Sequence, residues 1–290
     1  MFYLMILPGL LTLLVFNYGP VYGIQLAFKN FMYNKGIMGS PWVGWDNFLY
    51  LWYDSGFWRA LRNTFVISFG KLIFYFPAPI IVALLLNELR SPRFKRIIQS
   101  LLYIPHFFSW VIVSGIFVSL FSSTSGVLSK VSFELLGHRL PPMIVDPDYF
   151  LTIIFSTSVW HGVGWGTIIY LAAISGVNPE LYESAVMDGA NRFKQAIYIT
   201  LPSIKFAIVM TLILSLGGTM NAGFDQIFNF YSPPTYEVGD IIDTYVYRKG
   251  IIDAGYGVST AVGLFKSVIN CALLFSANWF VKRLGEEGVF

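Results

Sequence analysis

The sequence predicts an all-α membrane protein, a six-helix transmembrane bundle with one polar helical hairpin between its fourth and fifth spans. Three observations predict it. Hydrophobic residues make up 56% of the 290 and charged ones only 12%, with a mean hydropathy of +0.63, a balance foreign to ordinary water-soluble domains. Six apolar runs approach or exceed the roughly 20 residues that a helix needs to cross the hydrocarbon core. Lys and Arg cluster at the ends of those runs, as in "NELRSPRFKR" with Arg90, Arg93, Lys95 and Arg96. The net charge of +3 is small, so the clusters read as membrane orientation and not as a nucleic-acid surface.

The spans fall near Phe2 to Phe28, Thr64 to Leu86, Ile97 to Phe121, Phe150 to Ser175, Ser203 to Phe224 and Tyr256 to Val281, in a single transmembrane domain over 1–290. The first run has no basic segment ahead of it, exceeds a signal-peptide core and lacks a small-residue cleavage pattern, so it reads as a retained span. Whether native residues precede it is left open. Pro77 and Pro79 in the second span and Pro105 in the third predict kinks. In the fourth, Gly162 and Gly166 stand at the spacing that permits close helix contact, and His161 reads as a hydrogen-bonded packing residue. Gly217, Gly218 and Gly223 can interrupt the fifth, which is tolerated at depth where backbone borders a cavity. Cys271 in the sixth is the sole cysteine, so there is no disulfide framework, and it reads as a small buried apolar residue.

Orientation follows from the density of Lys and Arg near span ends. The link around Arg90 to Arg96 and the tail with Lys282 and Arg283 belong inside. With six spans, both termini and the hairpin then face the cytoplasm, and segments 29–63, 122–149 and 225–255 lie outside. The inner basic residues are packed into short loops, while the outer segments hold most of the acids.

The hairpin is "NPELYESAVMDGANRFKQAIYITLP", residues 178–202. Asn178 is a good N-cap, Pro179 suits the first helical position, and Glu180 and Glu183 lie where the helix dipole favours negative charge. The helix can run to Asp188 and stop at Gly189, which adopts a left-handed conformation cheaply, before a second helix resumes. An amphipathic helix lying on lipid headgroups is the competing reading. Its modest apolar content and its acids argue against an anionic leaflet.

The same segment resembles the EAA motif of permease subunits in ATP-binding-cassette importers, whose pattern is Glu-Ala-Ala, three residues, Gly, nine residues, Ile, one residue, Leu-Pro. Glu183, Ser184, Ala185, Gly189, Ile199, Leu201 and Pro202 stand at those spacings, departing only at Ser184. The resemblance extends over nearly the whole chain. "LPGLLTLLVFNYGPVYGIQLAFKNF", "FPAPIIVALLLNELR", "FKRIIQSLLYIPHFFSW" and "GFDQIFNFY" are similar to carbohydrate-importer permeases of the maltose-permease type, in the branch serving oligo- and polysaccharides that includes a subunit of the bacterial alginate importer. The resemblance implies the type I importer fold and a cytoplasmic coupling hairpin. In it Glu183 would pair with a basic residue of the ATPase, Ala185 and the small Ser184 would permit close packing, Asp188 and Gly189 would shape the turn, and Ala190 would belong to the same coupling set. It also implies partners: a second related permease subunit, two ATP-binding-cassette subunits that hold ATP and Mg, an extracytoplasmic solute-binding protein, a saccharide and membrane lipid. The location would be the bacterial cytoplasmic (inner) membrane, and the chain itself would need no cofactor.

The chain carries no G-x-x-x-x-G-K-[ST], H-E-x-x-H or G-x-S-x-G pattern, and His106, His138 and His161 are scattered. It therefore reads as a non-enzyme in an ATP-hydrolysing complex. For the substrate path, Lys71 and Lys266 are ionisable residues inside apolar runs, which usually face a bundle interior or water-filled cavity; Lys71 can alternatively snorkel to the interface. Ser267 and Asn270 share a helical face with Lys266, and either line the path or hydrogen-bond between helices. Asp225, Gln226 and Asn229, beyond the glycine break, are candidates near the outer mouth. With 27 Phe, 17 Tyr and 8 Trp, stacking surfaces for sugar rings abound, yet packing and interface belts use the same residues. Two other classes remain. An ion-gradient-driven secondary sugar transporter needs no ATPase and is indifferent to Glu183, and a membrane-embedded sugar-processing enzyme would draw on Asp46, Asp146 and Asp148.

Overall fold

The computed structural model describes residues 2–283; Met1 and residues 284–290, the end of the predicted inner tail, lie outside the described residues. The main helices are α1 (Phe2–Leu13), α2 (Asp46–Tyr53), α3 (Ser55–Phe74), α4 (Pro77–Asn87), α5 (Pro92–Tyr103), α6 (Trp110–Phe121) and α7 (Val127–Leu136). They continue with α8 (Pro147–Ser175), α9 (Pro179–Met187), α10 (Arg192–Gln195), α11 (Lys205–Gly217), α12 (Phe224–Phe230), α13 (Ile242–Tyr247) and α14 (Tyr256–Arg283). Among the described residues no strand forms, and the one β-type contact is an isolated bridge between Lys29 and Trp42.

Each of the six predicted spans contains helix, the fifth only as far as Gly217, and they are not alike. Three continuous helical stretches, Met5–Phe28, Ser55–Asn87 and Tyr256–Trp279, are long and apolar enough to cross a membrane. Two more qualify only as bent pairs, Pro92–Phe107 with Trp110–Phe121 at 102° and Arg192–Ser203 with Lys205–Gly217 at 64°. The remaining one, α8, is 29 residues long and more polar, because its buried side is built from Thr157, Ser158, Gly162, Gly164 and Thr167. On that packed side small residues let backbones approach, while Trp165 and Ile169 on the other side are each 51% exposed.

Prolines set the irregularities. Pro20 and Pro202 lack the N–H that would bond back into the helix, and their rings crowd the preceding carbonyls. The chain answers with a widened π turn ending two residues earlier in each case, at Leu14–Tyr18 and Ala196–Thr200. Pro105 sits in the 3-10 turn Ile104–Phe107 just before the 102° bend.

Contacts divide the chain into two compact units, Met1–Arg62 with Ile241–Ile269, and Asn63–Asp240 with Asn270–Phe290. In the first, Val43 N–H donates to Phe28 O at 2.9 Å, and the Asn47 amide donates to Ala27 O and Lys29 O at 2.9 and 3.1 Å. The Tyr245 hydroxyl donates to Asp54 Oδ2 at 2.6 Å. Burial first, and then that carboxylate, raise the Tyr245 phenol above its ordinary range.

The second unit is built around α8. Tyr170 and Ile174 pack with Ala83 of α4 and with Ile204. Where α8 crosses α5 the approach is closest at Gly164, where a Cβ would stand 2.0 Å from Leu102 O. Gly162 and Gly166, expected to permit close contact, are filled by Tyr75 and Pro79. Cys271 differs from its expectation. It is exposed on α14, where an apolar side chain faces outward from a helix whose surroundings are membrane.

Candidate functional site

Two features of the second unit concentrate polar chemistry. The hairpin is the first. Asn178 caps α9, its Oδ1 accepting the Glu180 N–H at 3.1 Å. The helix ends where the sequence places its stop: Gly189 takes φ +75°, Ala190 N–H reaches Ala185 O at 2.8 Å and Gly189 N–H reaches Val186 O at 3.0 Å. That pair of bonds satisfies carbonyls the helix end would otherwise strand. Asn191 then caps α10 by accepting the Lys194 N–H at 2.9 Å. The arms are tied by the hydroxyls of Tyr182 and Thr200 at 3.0 Å, and Arg192 meets Glu88 at 3.4 Å.

Glu183, Ser184, Asp188 and Gly189 are exposed, while Ala185 and Ala190 are half-buried at the turn. Between them the hairpin presents apolar side chains that the sequence reading did not single out, chiefly Met187 (87% exposed), Phe193 (71%) and Val186 (61%). An exposed apolar cluster rimmed by charge has the composition of surfaces that bind a protein or a membrane. The signal was present in "AVMDGANRF" but has no periodicity to mark it.

The second feature is the break after α11. The chain unwinds from Gly218 to Gly223, which adopts φ +94°, before α12 begins. Lys71 reaches this break from α3, donating to Ala222 O at 2.7 Å and to Gln226 Oε1 at 2.6 Å. The Gln226 amide nitrogen donates to Ile154 O and Thr157 Oγ1 at 2.8 and 2.7 Å, and Ser158 donates to Gln226 Oε1 at 3.0 Å. Lys71 thus caps an interrupted helix instead of reaching out along the surface. Beside it lies a cavity of about 220 Å³ lined by Ser68, Lys71, Tyr75, Thr219 and Asn221 among others. A neighbouring one of about 240 Å³ shares Tyr75, Phe76 and Ser215 and adds Trp165, Tyr170 and Thr211. Together they fall in the range of about 300–1,000 Å³ that small-ligand sites occupy. Of these lining residues, only Lys71 was foreseen, since hydroxyls and rings scattered over three helices leave no linear pattern.

The remaining candidates are dispersed. Asp225 is exposed, and Asn229 donates to its carbonyl at 2.7 Å. In the first unit, Lys266 is bound to Asp243 Oδ1 at 2.6 Å, and Ser267 bonds back to Gly263 O at 2.9 Å. Asn270 Oδ1 is buried with no hydrogen-bond partner. His161 Nε2 lies 3.1 Å from Phe108 O and its ring stacks on Trp110 at 4.3 Å, as a packing histidine would.

Known proteins resemble this chain in sequence and fold. The family of binding-protein-dependent transport system inner membrane components matches residues 75–286. The chain belongs to that family. It is 44% identical over 288 residues to protein LplB of Bacillus subtilis, covering 99% of this chain and 90% of that protein. The polygalacturonan/rhamnogalacturonan transport system permease protein YteP of the same organism is 42% identical, with 99% and 89% covered. Among solved structures, a chain of the bacterial alginate transporter in complex with alginate pentasaccharide-bound periplasmic protein superposes with a TM-score of 0.91 at 38% identity, covering 99% and 96%. The permease assignment drawn from the EAA spacing therefore stands, and so does the all-helical membrane fold. As a member of this family the chain is a non-catalytic, multi-pass membrane subunit.

Proposed function

We propose that this permease forms, with a second related subunit, the translocation path of an ATP-driven importer for an oligo- or polysaccharide, the first guess being an acidic one such as alginate. The observation that carries the reading is the hairpin: a doubly capped, rigid turn bearing Glu183, Asp188 and Gly189 at EAA spacing, with Val186, Met187 and Phe193 exposed for a partner to cover. Two ATP-binding-cassette subunits, holding ATP and Mg, grip this knob and its counterpart on the second permease. Their closure moves the inner ends of the helices, and a solute-binding protein delivers sugar at the outer face. Both termini lie in the cytoplasm of a bacterial cell bounded by this inner membrane. Relatives whose names carry polygalacturonan, rhamnogalacturonan and the acidic polysaccharide alginate support the substrate class. The cavity pair beside the α11–α12 break supplies what such a substrate needs, rings for the apolar faces of sugars and hydroxyls and an amide for their edges.

The test is sugar uptake and ATP hydrolysis in liposomes holding the complete importer, native against Glu183→Lys combined with Gly189→Pro. Proline cannot take the φ of +75° that Gly189 holds. Both activities fall to background in the variant while the subunits still co-purify. Uptake that persists without ATP would instead put a gradient-driven carrier in its place.

A further inference from the structure

Lys71 is mostly buried, and its charge is unanswered. Its ammonium has three N–H donors; two go to neutral acceptors, Ala222 O and Gln226 Oε1. Among the described residues no carboxylate lies within 4.0 Å of it, in contrast to Lys266, which has Asp243, and Lys249, which has Asp253. A buried cation without an anion is costly, by several kcal/mol as an order of magnitude. The ammonium lies close against the backbone of the break, since a Cβ on Gly223 would stand only 2.7 Å from Nζ.

What borders the ammonium is a cavity and not a protein acid. The lining of that cavity contains no Asp or Glu. One turn earlier on the same face of α3, Ser68 Oγ is buried with no hydrogen-bond partner among the described residues, and it lines the same space. A buried hydroxyl left unpaired and a buried cation left unneutralised, three residues apart, are complementary to one kind of ligand: a carboxylate with a hydroxyl beside it. Tyr75 and Phe76 supply ring faces alongside. Uronate units of an acidic saccharide have this pattern, and neutral hexoses lack its charged half.

We propose that Lys71 is the residue that reads substrate charge within the membrane, its third N–H receiving a uronate carboxylate in transit while Ser68 pairs with an adjacent sugar hydroxyl. This rests on the importer reading above. It makes the capped helix break a selectivity element, because the same ammonium that holds Ala222 and Gln226 in place meets the cargo.

The experiment compares ATP-driven uptake of a uronate oligosaccharide and of its carboxyl methyl ester by the complete importer in liposomes, each at concentrations that saturate the solute-binding protein. Native importer favours the acid. Lys71→Gln narrows the acid-over-ester ratio by about tenfold, the loss of one charge-assisted hydrogen bond, and Lys71→Arg restores most of it. With the concentration of sugar-loaded solute-binding protein varied, Ser68→Ala raises KM for the acid several-fold at unchanged kcat. The idea is overturned if Lys71→Gln leaves the ratio at its native value, or lowers uptake of acid and ester equally, the behaviour of a purely structural cap. If Lys71→Gln does not assemble, Lys71→Arg and Ser68→Ala decide, and an unaltered KM in Ser68→Ala overturns the proposal. A native importer that takes up neither sugar with ATP would remove the importer reading itself, an outcome distinct from all of these.

Discussion

Two lysines lie inside apolar runs, and they resolve their charge differently. Lys266 binds Asp243 at 2.6 Å, with about a fifth of each side chain exposed. Removing one member of such a pair costs more than the about 0–1 kcal/mol of an exposed bridge and less than the about 3–5 kcal/mol of a fully buried one. Lys266→Met and Asp243→Asn are therefore each expected to lower the thermal midpoint of the purified subunit complex by a similar amount. The swap Lys266→Asp with Asp243→Lys recovers most of the loss. A swap no better than the single variants would show that the two charges do not support one another. The sequence marked both lysines as unusual but not which residues they meet, because Asp243 and Gln226 lie 23 and 155 positions away and only tertiary packing brings them near. Asn178 and Gly189 were legible for the opposite reason, since a cap and a left-handed turn act within four residues of themselves.

At the level of elements, hydropathy located the helices and misjudged their character. The α8 helix is the most informative case: its buried Thr, Ser and Gly residues lie on the side that packs against other helices, and there Gly164 meets the backbone of Leu102. Backbone cannot swing aside as a flexible side chain can, so Gly164→Val must part α5 from α8. Overpacking of this kind costs about 1–3 kcal/mol even where relief is possible, and here a Cβ at 2.0 Å demands more relief than usual. Membrane levels of the Gly164→Val chain are expected to collapse. Gly115→Val on α6, where nothing lies within 4 Å, serves as the control and accumulates normally. Equal accumulation of both variants would mean that the crossing is looser than the geometry implies. The bends were only partly legible. Pro105 foretold a kink, but the 102° turn after it arises over Phe108 and Ser109, whose extended backbone lets Ser109 cap α6 by accepting the Ile112 N–H.

For the whole molecule, the arrangement across the membrane follows from counting crossings, and α8 enters that count by its length. Its 29 residues span about 43 Å at 1.5 Å each, enough to cross a core of about 30 Å. Leu135 on α7 precedes it and Met187 on α9 follows it, 77% and 87% exposed. They should therefore lie on opposite faces, Leu135 outside and Met187 inside with the basic loop around Arg90 to Arg96. Since Cys271 is the sole cysteine, Cys271→Ser provides a thiol-free background in which Leu135→Cys or Met187→Cys can be labelled alone. A membrane-impermeant maleimide added to intact cells is expected to modify Leu135→Cys and to leave Met187→Cys untouched until the cells are opened. Opened membranes stripped of the ATPase subunits carry the argument further. There Met187→Cys is expected to be labelled freely and to be protected when the ATPase is added back, because a subunit docked on the hairpin as proposed covers its apolar tip. Labelling of Met187→Cys from outside would invert the orientation, while labelling from inside that ATPase never slows would keep the orientation and remove the docking surface.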